Sequence, residues 1–201
     1  MIHGSMRARP PFESFASGTL AGAGCFRCQG CGFAVALHEG DEVPTCPHCA
    51  GENFKRSSIF GEQAMQEPVG PSSPEHPTWL DETRRALDRA GHYLAFDEEG
   101  DLRVVALQDG WTRIGRSLSA DIRFDDPTVS RRHALVHLQD GVARILDDRS
   151  LNGVFVNGER IDLREIQDAD ELTIGRFRLY VLHVLGDRLS ADAMTARDPV
   201  R

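Results

Sequence analysis

Thr112-Arg113-Ile114-Gly115-Arg116, then Ser130-Arg131-Arg132-His133, then Asn152-Gly153-Val154-Phe155-Val156-Asn157-Gly158 follow one another in a single stretch of this chain. Between them run short segments in which apolar and polar residues alternate, so the motifs read as loops at strand ends. An arginine fork, a serine hydroxyl and an asparagine amide supply donors for a phosphate and for the backbone beside it. No nucleophile–base pair accompanies them. The stretch therefore reads as a binding site, and the chain as a non-enzyme.

Working outward, the period stays at two from His92 onward. Candidate strands cover 92–97, 102–107, 111–115, 121–124, 133–139, 142–147, 153–156, 159–161, 171–174 and 177–184. Glu99-Gly100, Asp109-Gly110, Asp140-Gly141 and Asn157-Gly158 join them with hairpin chemistry, since such pairs accept the positive φ of tight turns. Short strands at regular turns predict an all-β sandwich over 92–185. Leu172-Thr173-Ile174-Gly175-Arg176 echoes Thr112–Arg116. With different flanks, the echo reads as two strands that each end at a glycine turn.

This ordered set resembles the forkhead-associated (FHA) domain, the phosphothreonine-peptide binding module, over about half of the chain, His92 to Leu185. The resemblance implies an FHA-type β-sandwich and a role for each matching position. Arg116 and Ser130 match the family's phosphate-binding pair, and Arg131 adds charge or meets the peptide. Asn152 matches the asparagine that holds the ligand's main chain. His133 matches the histidine that braces the loops, with Gly115, Gly153, Asn157 and Gly158 as structural residues of those loops. Three positions depart from the common pattern. Leu151 and Val154 stand where threonine is frequent, and Arg149 where glycine is frequent. Loss of one neutral donor at 151 costs roughly 0.5–1.5 kcal/mol.

Upstream, all five cysteines lie between residues 25 and 49. Cys28-x-x-Cys31 and Cys46-x-x-Cys49 have the spacing of a metal site rather than of a disulfide framework. Four thiolates make a closed tetrahedral zinc site. Gly32 and Gly51 let the backbone turn over the metal, and Phe26, Phe33, Val35 and Leu37 supply a small apolar face. Phe26-x-Cys28-x-x-Cys31-Gly32 is similar to zinc ribbons and rubredoxin-type knuckles. Structural zinc is the expected cofactor, with iron the alternative. Cys25 and His48 remain open as competing ligands. A segment this short folds on its metal.

The expected order is a disordered N-terminus (1–24), a zinc ribbon (25–58), a Pro-rich linker (59–77), a helix (78–91), the sandwich (92–185) and a flexible tail (186–201). Pro68, Pro71, Pro74 and Pro77 recur at the polyproline II spacing of a semi-rigid spacer. Thr78 is the expected N-cap of a helix over Trp79–Ala90, with Leu80, Thr83, Leu87 and Ala90 on one face and Gly91 ending it.

A net charge of −8 argues against a general nucleic-acid binder. The longest apolar run, Leu179–Leu185, is far short of the ~18 residues that span a bilayer. The N-terminus lacks the layout of a signal peptide, so cytoplasmic residence is expected. By resemblance, the function is phosphothreonine-dependent protein binding, in an adaptor that recruits phosphorylated partners of a bacterial Ser/Thr kinase pathway. A phosphate-independent scaffold and a zinc-ribbon transcription-related regulator are the alternatives. The ribbon's few basic residues (Arg27, Lys55, Arg56) face acidic neighbours Glu39, Asp41 and Glu42, against the latter. Oligomeric state is not legible.

Overall fold

The computed structural model describes residues 14–57 and 76–186, which belong to two compact units divided between Gln66 and Glu67. The expectations for the first thirteen residues, for Pro68, Pro71 and Pro74, and for the tail beyond Gly186 lie outside the described residues. No described helix is long and apolar enough to cross a membrane.

The first unit is a four-stranded antiparallel sheet. Strands β1 (Ser14–Ala16), β2 (Gly24–Cys28), β3 (Ala34–Leu37) and β4 (Asn53–Ser57) lie in the order β1-β4-β2-β3. Phe26, Val35 and Phe54 are fully buried, with Phe33, Leu37 and Val43 beside them. This is the small apolar face expected from the sequence. The boundary at residue 25 needs correction, because β1 pairs with β4 from Ser14 to Ala16. Phe15 packs edge-on against Phe26 at 5.1 Å, so this strand adds another aromatic to the small core.

The second unit starts with helix α1 (Thr78–Ala86) and continues through eleven strands. These are β5 (Gly91–Glu98), β6 (Asp101–Ala106), β7 (Gly110–Gly115), β8 (Ile122–Arg123), β9 (Ala134–Gln139), β10 (Val142–Asp147), β11 (Val154–Val156), β12 (Glu159–Ile161), β13 (Leu163–Ile166), β14 (Glu171–Ile174) and β15 (Phe177–Val184). They form a five-stranded sheet, β13-β10-β9-β7-β8, and a six-stranded sheet, β12-β11-β14-β15-β5-β6. One core holds Leu94, Leu172, Ile174 and Leu179 from the larger sheet against Ile114, Val136 and Ile145 from the smaller. The described chain is nearly all β with one short helix, and its second unit is a β-sandwich, as the periodicity predicts. The exception in the strand list is β13, absent from the sequence reading.

The turns divide by geometry. Glu99-Gly100, Asp140-Gly141 and Asn157-Gly158 have positive φ at both residues and close the β5–β6, β9–β10 and β11–β12 hairpins. Asp109-Gly110 differs. It carries the chain from β6 in one sheet to β7 in the other, so it is a crossover and not a hairpin.

Helix α1 covers the outer face of the larger sheet. Leu80, with Trp79 and Leu87, packs on Tyr93, Ala95, Tyr180 and Leu182. Leu94 and Leu179 on the same two strands face the opposite way, into the inter-sheet core. The central strands are thus buried on both sides, which is why 179–184 reads as an apolar run broken only by His183. Arg84 grips Asp168 with one nitrogen, at 2.9 and 2.7 Å from its two oxygens. The expected helix limits are corrected at both ends. Pro77, not Thr78, is the N-cap, and no side chain caps the helix. Leu87 has extended φ and ψ, and the Tyr93 hydroxyl donates to the Arg89 carbonyl at 2.9 Å, pinning a non-helical exit. Ala90 is exposed and outside the helix.

Candidate functional site

Most of the residues singled out in the sequence gather around one loop, residues 124–133, between β8 and β9. Two glycines from opposite sheets clasp it. At Gly115, ending β7, a Cβ would lie 2.5 Å from the Arg131 carbonyl oxygen. At Gly175, following β14 with φ 61°, a Cβ would lie 2.6 Å from the Thr128 hydroxyl oxygen. No larger residue fits either contact without backbone movement. The echo between the two strand ends therefore has a physical cause: both must let the same loop approach.

The loop is also tied chemically. The Arg116 amide donates to the Ser130 carbonyl at 3.0 Å. Asp126 accepts from both the amide and the hydroxyl of Thr128, at 2.8 and 2.6 Å, and the Thr128 hydroxyl oxygen accepts the Arg176 amide at 3.1 Å. Arg176 pairs with Asp126 at 2.6 Å. Asp126, Thr128 and Arg176 escaped the sequence reading. Asp126-Pro127-Thr128 carried a signal for it, the aspartate turn that bonds its own backbone two residues on.

His133 joins this loop to the next. Its Nδ1 accepts the Ser130 amide at 3.0 Å, so Nε2 carries the proton and donates to the Gly153 carbonyl at 3.2 Å. The ring is fully buried, and burial holds its pKa below the usual histidine range, against the opposing pull of the Gly153 carbonyl. The second loop is braced from within. Asp147 accepts the Ser150 amide and hydroxyl at 2.6 and 2.9 Å, and the Ser150 oxygen accepts the Gly153 amide at 2.7 Å. Arg132 forks onto Asp148 at 2.7 and 2.6 Å.

Ser130 sits where the two loops meet. Its hydroxyl oxygen accepts the Leu151 amide at 3.0 Å, which leaves the hydroxyl hydrogen to donate elsewhere. Leu151 thus serves the site through its backbone, whatever its side chain lacks. Asn152 is buried, and its Nδ2 donates to the Thr128 carbonyl at 3.1 Å. Arg116 is 8 % exposed, whereas Arg131 stands in solvent. Gly153 has φ 92° under the Arg160 side chain. Asn157-Gly158 does not join the cluster. It closes the far end of β11, about 10 Å along the strand, and Asn157 instead grips Asp170 and the Glu171 amide at 2.7 and 2.9 Å.

In the first unit, the sulfurs of Cys28, Cys31, Cys46 and Cys49 all lie within 4.8 Å of one another. The two knuckles match: Gly32 donates to the Cys28 carbonyl at 2.9 Å and Ala50 to the Cys46 carbonyl at 2.8 Å. Gly32 and Ala50 share positive φ, 80° and 56°. Gly51 acts by closeness, since a Cβ there would stand 3.1 Å from the Cys28 sulfur. Burial pushes the Cys31 and Cys46 thiols up, so a cation is what makes four thiolates tenable together. The donor set fits a tetrahedral metal. Cys25 lies outside it, receiving the Ser57 hydroxyl at 3.5 Å. His48 stacks against Phe33 and is likewise outside the cluster.

Comparison with known proteins matches residues 112–175 to the FHA domain and residues 7–58 to a zinc-ribbon containing domain. The oxoglutarate dehydrogenase inhibitor of Corynebacterium efficiens is 45% identical over 128 residues, 63% of this chain and 87% of that protein. The glycogen accumulation regulator GarA of Mycolicibacterium smegmatis is 46% identical over 71 residues, 35% of this chain and 45% of that protein. The chain spans about half the length of most of the curated relatives it matches. Among solved structures, Mycobacterium tuberculosis EmbR in complex with a low-affinity phosphopeptide is 33% identical, with 54% of this chain and 29% of that one covered and a TM-score of 0.45.

Two outcomes follow from the geometry. Because burial depresses the His133 pKa, the unfolded chain takes up this proton first as the pH falls. Stability is whole above the ordinary histidine value of about 6.5 and declines as the pH drops through it. His92, depressed by burial and by His183, acts in the same direction. His133→Gln should melt lower near neutrality and show a shallower loss on acidification; an unchanged slope would remove His133 from the account. Arg149 holds φ 64°, a conformation that costs a non-glycine residue ~1–2 kcal/mol. Arg149→Gly should gain roughly 0.5–1 kcal/mol in chemical denaturation after glycine's entropy is offset; a loss would refute the strain.

Proposed function

The chain belongs to the FHA-domain family, and from that premise we propose that it is a phosphothreonine-dependent binding protein, an adaptor that docks phosphorylated partners of a Ser/Thr kinase pathway. The observation that carries the reading is the Ser130 hydroxyl. Its oxygen already accepts the Leu151 amide, so its hydrogen remains to donate, on a loop tied to Arg116.

A phosphothreonine brings close to two negative charges and three acceptor oxygens. In the proposed complex Arg116 donates its planar fork to two of those oxygens, and Ser130 donates to the phosphate through its hydroxyl. Asn152, held by Thr128, grips the ligand's main chain. Arg131 contributes charge from the rim. Binding needs no proton moved and no bond broken, in line with relatives named as a regulator and an inhibitor, so we assign no catalytic residue.

Residues 92–185 would then be the recognition module. The N-terminal unit would be a separate ribbon held by structural zinc on Cys28, Cys31, Cys46 and Cys49, in a chain resident in the cytoplasm, where thiols stay reduced. The spacing of the sulfurs supports this, with Cys28–Cys49 at 3.6 Å and Cys31–Cys46 at 3.5 Å. When bound, the metal supplies folding energy rather than chemistry.

Calorimetry with a phosphothreonine peptide tests the anchors. Arg116→Ala should weaken binding by about 1.5–3 kcal/mol, the worth of a bond to a charged group. Unchanged affinity in both Arg116→Ala and Ser130→Ala would sink the assignment. Elemental analysis should find one zinc per chain. A chelator should collapse the ribbon's dispersed amide signals while those of the sandwich persist; iron, or a ribbon that survives chelation, would reject structural zinc.

A further inference from the structure

A cleft of about 180 Å³ opens between the two sheets at the pole away from the 124–133 loop. Gly141 and Ala143 line it from the smaller sheet, Gln167 and Asp168 from the β13–β14 loop, and His92 of β5 with His183 of β15 from the larger sheet. Strand β9 runs from one pole to the other, and its six residues span ~20 Å. The proposed phosphate chemistry uses nothing at this end.

The two histidines stand directly opposite each other on antiparallel neighbours. Their rings are stacked, with centroids 4.1 Å apart and planes 13° from parallel. His76 and His133 spend ring nitrogens on backbone groups. Among the described residues, the ring nitrogens of His92 and His183 have no hydrogen-bond partner, which leaves the acceptor nitrogen of each ring uncommitted. Asp168 stands beside the pair, where its Oδ1 accepts the His183 amide at 2.8 Å, and it shares its charge with Arg84. The residues lining the cleft include two carboxylates, Asp168 and Glu165, and no lysine or arginine.

Imidazole nitrogen beside carboxylate oxygen is a donor set for zinc, nickel or copper rather than for calcium or magnesium. Directly opposed strand residues hold their Cβ atoms ~4.5–5.5 Å apart. Two nitrogens bound at roughly 2 Å to one ion stand about 3 Å from each other. Rotating the two side chains out of their stack is therefore enough to bring one nitrogen of each to a common ion.

We propose that His92 and His183 form a second metal site, separate from the four-cysteine cluster, for one divalent transition-metal ion such as zinc or nickel, with Asp168 supplying negative charge beside it. The proposal is independent of the phosphothreonine reading. An ion held there cross-links β5 to β15 and stabilises the sandwich in proportion to its excess over the dissociation constant.

Titrating nickel chloride into the tag-free full chain, its ribbon already loaded with zinc, tests the site. Calorimetry should count one nickel per chain with the zinc content unchanged, and the melting temperature of the sandwich should rise with nickel concentration. Nickel is paramagnetic, so in the wild type it should broaden the NMR signals of His92, His183 and Asp168 and leave those around His133 sharp. His92→Gln and His183→Gln should each weaken nickel binding at least about tenfold, since loss of an outer-sphere partner alone costs that much. The wild-type mapping needs no variant and decides the matter even if one of them fails to fold. Absence of nickel uptake, broadening centred on the cysteine cluster or on another histidine, or an affinity untouched by both substitutions overturns the site.

Discussion

One uncharged imidazole sets the geometry of the recognition end. His133 accepts from the Ser130 amide and donates to the Gly153 carbonyl, and these two bonds hold two loops at a fixed separation inside the protein. Water cannot replace either bond at full burial, so losing the ring would leave two backbone groups unsatisfied. Protonation would be as disruptive as removal, since Nδ1 would turn from acceptor to donor in front of an amide that also donates. The placement of Ser130 and its contact with the Leu151 amide follow from that one tautomer.

The sequence picked out the loops of the proposed binding end because its residue types are demanding. An arginine after a strand-ending glycine, a serine ahead of a buried histidine and an asparagine before a left-handed glycine leave few other uses for that order. Strands β10, β14 and β15 were readable to the residue from alternating or nearly continuous apolar positions, and β12 from the Asn157-Gly158 turn before it. Strand β13 was not. Leu163 faces solvent and only Ile166 is buried, so Leu163–Ile166 lacks the alternation that marks a strand. Proximity in sequence misled in another way. Asn157-Gly158 stands near Asn152-Gly153 along the chain, but β11 runs between them and puts the two pairs at opposite ends.

The helix and the ribbon show the same limits. Thr78 has the right chemistry for a cap and the wrong position, because Pro77 already supplies the turn into the helix. The four cysteines were readable from spacing alone, since two knuckles impose their own backbone path. The exclusion of Cys25 was not, because it depends on a strand pairing that turns its sulfur toward Ser57. Likewise Phe15 joins the ribbon core through a pairing with β4 that no local pattern announces.

The double clasp on the 124–133 loop has a consequence for when this site exists at all. Gly115 ends a strand of one sheet and Gly175 follows a strand of the other, and the loop touches both. Neither sheet alone can shape it. The proposed phosphate anchors, Arg116 and Ser130, therefore come into register only after the two sheets have docked, so on the proposed function recognition is a property of the finished sandwich. A nascent or partly unfolded chain carries every residue of the motif and yet holds no competent pocket. Such a chain would not sequester phosphorylated partners, and a bound partner would in turn select the fully docked state over any looser one.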